Sequence, residues 1–264
     1  MATTPWQKRI ERAHTLGRQH AFAAEILGFY VRLALFQEEL YSRLAALPAE
    51  RNEASALFAP TVESETLASF REFLSLVEQS GPERLTGLAR SLASDHSSWE
   101  TLLRACWSGP QTSPALPEQL LGRAFLQPYA EFQRARISPP QNGYSAPLCP
   151  FCGRKPGTGI FRQQGEGAVR SLLCFFCLAE WTFRRIVCPA CGEEDSRKLP
   201  VYSAEEFDYV RVECCDTCKV YIKAIDLTRN GLAEPVVDEI ASVPLDLWAH
   251  EHGYSKIQVN ILGM

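Results

Sequence analysis

Eight of the chain's ten cysteines fall between residues 149 and 218, in four Cys-x-x-Cys pairs: Cys149/Cys152, Cys174/Cys177, Cys188/Cys191 and Cys215/Cys218. One such pair alone is a redox dithiol, a coincidence or half a metal site. Four pairs within one short region point instead to two four-thiolate sites. Two residues between sulfurs is the spacing at which a tight turn brings both thiolates onto one ion. A tetrahedral four-sulfur shell suits zinc or a single iron, and the ligands alone do not choose between them. Gly153 and Gly192, each directly after the second cysteine of its pair, supply the positive φ that tightens such a turn. Phe175, Phe176, Trp181 and Tyr221 are the aromatic residues placed to shield the sulfurs.

The elements that must position these cysteines are short strands. Thr158–Gln164 and 168–173 flank Gly165-Glu166-Gly167, a hairpin joining the first pair to the second. Residues 198–202 and 209–213 flank 203–206, a second hairpin joining the third pair to the fourth. Strand-like stretches follow at 181–187 and 220–226. The region is thus an internal duplication of knuckle, hairpin, knuckle and strand. Its two halves open alike, with Cys149-Pro-Phe-Cys-Gly153 against Cys188-Pro-Ala-Cys-Gly192. Pairing within each repeat follows from the hairpins, and a cross-braced arrangement of pairs one and three stays open. Cys214 breaks the two-residue spacing and reads as a bystander, and Cys106, beside Trp107, reads as a small buried hydrophobe. Ribbons of about 35 residues have little apolar core of their own. Replacing Cys174 with Ala is therefore expected to unfold its own ribbon while the helical part persists.

The first 136 residues carry helical periodicity and no convincing strand. Thr4-Pro5-Trp6-Gln7 reads as a capping box with Pro at the first helical position. A longer helix from Phe22 to about Leu47 places Ile26, Tyr30, Leu33, Phe36, Leu40 and Leu44 on one stripe; Pro48 and the polar 50–55 stretch break it. Further helices are expected at 63–78, 83–93, 97–107 and 117–135. The fold expected is multidomain: an all-α helical domain at 1–136 and a Pro- and Gly-rich linker at 137–148. Two tandem rubredoxin-like, zinc-ribbon-like modules follow at 149–187 and 188–226, then a short helical tail at 227–264 in which Pro244 starts or kinks a helix and Gly253 caps one.

Composition narrows the function classes. The net charge is −4, and the cysteine region holds 11 basic and 11 acidic residues, so no segment has the surplus needed to neutralise phosphates. Nucleic acid is not expected as a partner. No phosphate loop, dinucleotide fingerprint, Gly-x-Ser-x-Gly or His-Glu-x-x-His is present, and His14, His20, His96, His250 and His252 stand without a spaced partner. No catalytic residue emerges. The most apolar run, 26–36, is 11 residues and contains Arg32, so membrane insertion is not expected. No signal peptide is read at the first residues, and thiols kept for metal fit a reducing, cytoplasmic compartment.

Several stretches together resemble the FdhE family of formate dehydrogenase accessory proteins. They are Gln19–Tyr30, the knuckle run opening at 149–156, the segment 215–227, and the tail segments 245–254 and 260–263. The resemblance implies a helical N-terminal domain followed by two rubredoxin-like modules, with iron as the expected metal. It also implies a non-enzymatic cytoplasmic factor, of chaperone type, that binds the catalytic subunit of a formate dehydrogenase during maturation. Only the eight knuckle cysteines carry over as site residues, and self-association stays open. Against it stand a rubredoxin-type electron carrier, a zinc-ribbon nucleic-acid module, and a zinc chaperone of the DnaJ type. The last would want more glycine after its pairs than the two found here.

Overall fold

The computed structural model describes residues 4–46, 64–108, 117–138 and 143–264. The expected break at Pro48 and 50–55, and linker residues 139–142, lie outside the described residues. The chain divides into two compact units. One comprises residues 1–138 with Ile261–Gly263, the other residues 139–260 with Met264.

Among its described residues the first unit is built of helices and no strand: α1 (Pro5–Gln19), α2 (Ala24–Ala45), α3 (Ser64–Ser80), α4 (Glu83–Ser94), α5 (Trp99–Ser108) and α6 (Pro117–Ala135). The Thr4 hydroxyl accepts from the Gln7 amide at 3.1 Å, and the Gln7 side chain accepts from the Thr4 amide at 3.0 Å, which closes the capping box. Phe70, Phe73 and Phe125 form the aromatic centre; the Phe70 and Phe125 rings lie 5.0 Å apart, and Trp99 meets Phe70 edge-on at 5.3 Å.

The buried side of α2 runs through Leu27, Tyr30, Leu33, Ala34, Gln37 and Leu40, so Ile26, Phe36 and Leu44 lie at its margins. A polar residue at the centre of that side has a backbone cause. Pro128 sits inside α6 and has no N–H, which leaves the carbonyl four residues back without its helical partner. That carbonyl is Ala124's, and the Gln37 amide donates to it at 2.6 Å.

The second unit is one sheet covered by a helical tail. Its elements are β1 (Thr158–Gln164), β2 (Gly167–Leu173), β3 (Glu180–Thr182), β4 (Val201–Tyr202), β5 (Val210–Cys214), β6 (Val220–Asp226), α7 (Pro235–Ala241), α8 (Val243–Glu251) and β7 (Ser255–Lys256). The first hairpin forms as its pattern predicts, with Thr158 opposite Leu173 and Gln164 opposite Gly167. The second hairpin is shorter than predicted. Asp195 caps a single 3-10 turn at Ser196–Lys198 and another turn takes Glu205–Phe207, which leaves β4 two residues. Likewise β3, Glu180–Thr182, keeps only Trp181 and Thr182 of the 181–187 stretch, because from Phe183 on the chain crosses toward the third knuckle.

The two modules do not stand as separate ribbons. The strand order is β3-β2-β1-β6-β5-β4, with β7 also against β6, so both repeats share one seven-stranded sheet. They meet where β1 and β6 pair in parallel, Gly159 opposite Ala224. A Cβ on Gly159 would lie 2.9 Å from that of Ala224, so the close approach requires glycine there. The buried Thr158 hydroxyl adds a bond to the Lys223 carbonyl at 2.7 Å.

On one face of this sheet, Val210, Val212, Tyr221 and Ile225 pack against Leu245, Ala249 and Tyr254 of the tail. Pro244 lies in the first turn of α8 and starts the helix rather than kinking one, and Gly253 follows it at φ 81°. Under the tail lies a closed ionic group. Lys223 Nζ reaches Asp246 at 2.6 Å and Glu239 at 3.1 Å; Lys256 pairs with the same Glu239 and with Asp246 at 3.0 Å. Tyr221 donates to Asp246 at 2.8 Å and Asn260 to Glu239 at 2.8 Å, so every oxygen of the two carboxylates has a partner. No helix among the described residues is long and apolar enough to cross a membrane.

Candidate metal centres

The four knuckles are built alike, whatever their sequence. In each, the amide after the second cysteine donates to the carbonyl of the first: Gly153 to Cys149, Leu178 to Cys174, Gly192 to Cys188 and Lys219 to Cys215, at 2.8–3.0 Å. The first cysteine's own amide then donates onward, to the carbonyls of Arg154, Ala179, Glu193 and Val220. All four closing residues have positive φ: Gly153 69°, Leu178 53°, Gly192 79° and Lys219 57°. Glycine takes that conformation freely, while a leucine or lysine held there costs about 1–2 kcal/mol. The second and fourth turns therefore keep the knuckle shape against the preference of their own residues, which marks the turn as imposed by what it holds.

Each repeat gathers its own two knuckles. Cys149, Cys152, Cys174 and Cys177 form one group and Cys188, Cys191, Cys215 and Cys218 the other, the sulfurs of each lying within 4.8 Å of one another. The Sγ atoms of Cys149 and Cys177, and of Cys152 and Cys174, are 3.5 Å apart. Those of Cys188 and Cys218 are 3.7 Å apart, and those of Cys191 and Cys215 3.6 Å. Four sulfurs at about 2.3 Å from a tetrahedral ion would be separated by roughly 3.8 Å, so both shells fit one such ion. Amides also point at the sulfurs, Phe176 N–H to Cys174 and Ala190 N–H to Cys188, both at 3.4 Å. No cross-braced group forms among the described residues.

Electrostatics fit the same donor set. A hydrogen bond with Cys149 pushes the Cys152 thiol up, and burial does the same to Cys188 and Cys218; burial would also raise Cys174 and Cys215, but the hydrogen bonds they accept hold both below the ordinary thiol value. Four clustered thiolates thus need a cation among them. The ten cysteines are all free of disulfides. Cys214 lies on the tail-facing side of β5, outside both groups, and burial pushes its thiol up to about 12. The Cys106 thiol is buried in the helical unit and donates to the Gln119 carbonyl at 3.7 Å. Among the described residues no histidine enters either group. His252 stacks on Trp248 at 4.1 Å, and His96 lies tilted against Trp99 at 4.4 Å.

The two shells differ in access. In the first, Cys149, Cys174 and Cys177 are buried and Cys152 is half-buried, with Phe175 and Phe176 inside and Arg154 stacked over Phe176 at 3.7 Å. In the second, Cys188 and Cys215 are buried, Cys218 is half-buried and Cys191 is exposed. Trp181 is buried beside the linker end, donating to the Ala146 carbonyl at 3.0 Å. Tyr221 belongs to the ionic group under the tail rather than to a sulfur shield. A chelator is expected to strip metal-loaded protein in two phases. Timed maleimide labelling with peptide mass spectrometry should show Cys188 and Cys191 reacting before Cys149 and Cys152; simultaneous labelling would count against the difference in access.

Sequence reasoning missed the residues around the shells. Arg170, on β2, is fully buried and bonds Glu213 of β5 at 2.6 Å, and Lys223 anchors the ionic group. The signal was a lone cation in each strand, Arg170 in β2 and Lys223 in the middle of β6.

Comparison with known proteins places this half of the chain. Residues 148–185 match the family model described as the FdhE central domain, and residues 186–262 the one described as the FdhE C-terminal domain. A protein named as an FdhE homolog from Aquifex aeolicus is 37% identical over 142 residues, covering 53% of this chain and 50% of that protein. Another so named, from Pseudomonas aeruginosa, is 37% identical over 125 residues, covering 45% of this chain and 40% of its own length. The matches thus span half or less of these curated relatives. The crystal structure of the FdhE protein from Pseudomonas aeruginosa shares the fold, with a TM-score of 0.70 at 23% identity over 99% of this chain and 96% of that one.

Proposed function

We propose that this chain, whose residues 148–262 match the FdhE central and C-terminal domains, is a non-enzymatic accessory factor of that family for a formate dehydrogenase. In this reading it binds the catalytic subunit in the cytoplasm and supports its maturation. Cys149, Cys152, Cys174 and Cys177 hold one metal ion, and Cys188, Cys191, Cys215 and Cys218 hold a second. The observation that supports this most is the duplicated four-sulfur shell within a family-matched sheet. Bound iron would supply a one-electron couple, as the family resemblance implies; bound zinc would supply a redox-silent cross-link. The knuckle turns fix the sulfurs and aim amides at them, and the surrounding sheet excludes water from three of the four sulfurs of the first shell.

Affinity capture of the catalytic subunit by the tagged full chain is the direct test. Capture, with formate dehydrogenase activity lost when the protein is absent, is the expected result. No capture together with normal activity would dismiss the reading. Exposure of Cys191 favours a second reading, a rubredoxin-type electron carrier, because electron exchange needs a cluster near the surface. Reversible one-electron bleaching of a visible thiolate-to-iron band would support that carrier, and a colourless zinc protein isolated under reducing conditions would remove it.

A further inference from the structure

We propose that Arg170, a residue of the first module, is a positioning residue for the metal shell of the second. Its guanidinium is 1% exposed and fully engaged. Nε and Nη2 both donate to Glu213 Oε2, at 3.1 and 2.6 Å. Nη1 donates to the Arg184 carbonyl at 2.9 Å and, at the limit of a hydrogen bond, to the Val187 carbonyl at 3.5 Å. Val187 directly precedes Cys188, and Glu213 stands two residues before Cys215. One planar cation therefore ties together the roots of both knuckles that make the second shell.

Packing does not hold those roots together at this point. They border a cavity of about 140 Å³ lined by Arg170, Val187, Cys188, Glu213, Cys215 and Ile222. Across that space the forked guanidinium is the tie, and fork geometry is what a lysine ammonium lacks. The second module does not return the device to the first shell from the equivalent position. The repeat-equivalent arginine, four residues before Cys215 as Arg170 is four before Cys174, is Arg211. It pairs with Asp226 at the far end of β6 and lies over the Phe161 ring at 4.4 Å, away from either knuckle. Partners that orient metal ligands from outside the coordination shell change metal affinity by about 10–100-fold when removed. Arg170 does this across the module boundary, so retention at the second site depends on the first module's strand.

The inference rests on the reading that both shells hold an ion. Its test follows metal transfer from the loaded full chain to a chromogenic chelator, with timed maleimide labelling and peptide mass spectrometry to assign each release to its cysteines. Arg170→Met is expected to speed exposure of Cys188 and Cys191 about 10-fold and leave Cys149 and Cys152 at the wild-type rate. Arg170→Lys should recover only part of the loss. Arg211→Met, an equal loss of charge, should lower thermal stability without changing the ratio of the two rates. Glu213→Gln, which keeps an acceptor, should move the same ratio by less and serves if Arg170→Met does not fold. Equal acceleration at both sites, or none at either, would overturn the positioning role. Wild-type protein that takes up no metal would instead remove the underlying reading, and this inference with it.

Discussion

Cys174→Ala is expected to dismantle the whole cysteine unit, not one ribbon of it. Cys174 follows β2 directly, so losing its thiolate opens the first shell at the strand end that carries the hairpin. A structural four-cysteine site supplies on the order of 10–16 kcal/mol of folding free energy, as much as the whole stability of an ordinary domain. From the residues alone, that loss would stay within residues 149–187. The shared sheet carries it further: β6 loses β1, the neighbour to which it is joined through Gly159, Thr158 and the Leu227 amide, which donates to the Phe161 carbonyl at 3.0 Å. Hydrogen exchange should therefore show lost protection in β5 and β6 as well as in β1 and β2, while α1–α6 keep theirs. Exchange that rises only in residues 149–182 would restore the picture of two independent ribbons.

Lys223→Met should cost about 3–5 kcal/mol, read as a lower urea midpoint. The methionine fills the stem's volume but leaves Glu239 and Asp246 with two carboxylates facing one ammonium in a site closed to water. The size of the effect comes from stranding buried charge, not from the net worth of the ion pairs, which burial largely offsets. The pH dependence follows from the same group. Burial alone would raise the Asp246 carboxyl, but Lys223 and Lys256 together hold it below its ordinary value. Its contribution is thus present above the usual carboxylate pKa of about 3.9 and lost as pH falls through the lower folded value. Burial would likewise lower Lys256, yet Glu239 and Asp246 hold it above the ordinary amine value. That contribution is complete below about pH 10.4 and lost as pH rises through the higher folded value. A midpoint for Lys223→Met equal to wild type at pH 7 would show the group to be expendable.

What could be read from the sequence divides along the range of the forces involved. The knuckles, the first hairpin, the Thr4 capping box and the start of α8 rest on neighbours a few residues apart, and spacing reports them directly. The eight cysteines were legible for the same reason, since each pair carries its own geometry. The stripe on α2 shifted by one position because the demand for Gln37 arises at Pro128, ninety-one residues away. The pairing of β1 with β6 was equally hidden: what permits it is a missing Cβ at Gly159 opposite Ala224, and neither residue announces a partner. Arg170 and Lys223 break the strand alternation, but their partners come from other strands and from the tail.

The parallel pairing of β1 with β6 also has a meaning in time. Parallel neighbours cannot be joined by a tight turn, and here more than fifty residues separate the two strands. During synthesis the first ribbon emerges with both knuckles present and can close around its sulfurs. Its β1 edge, however, waits for the second ribbon to be delivered. The glycine that later admits Ala224 meanwhile sits on an open strand edge, the kind of surface that recruits stray chains. Completion of the sheet is therefore tied to the arrival of residues 220–226, and the interval before it is when this protein is most exposed to mispairing.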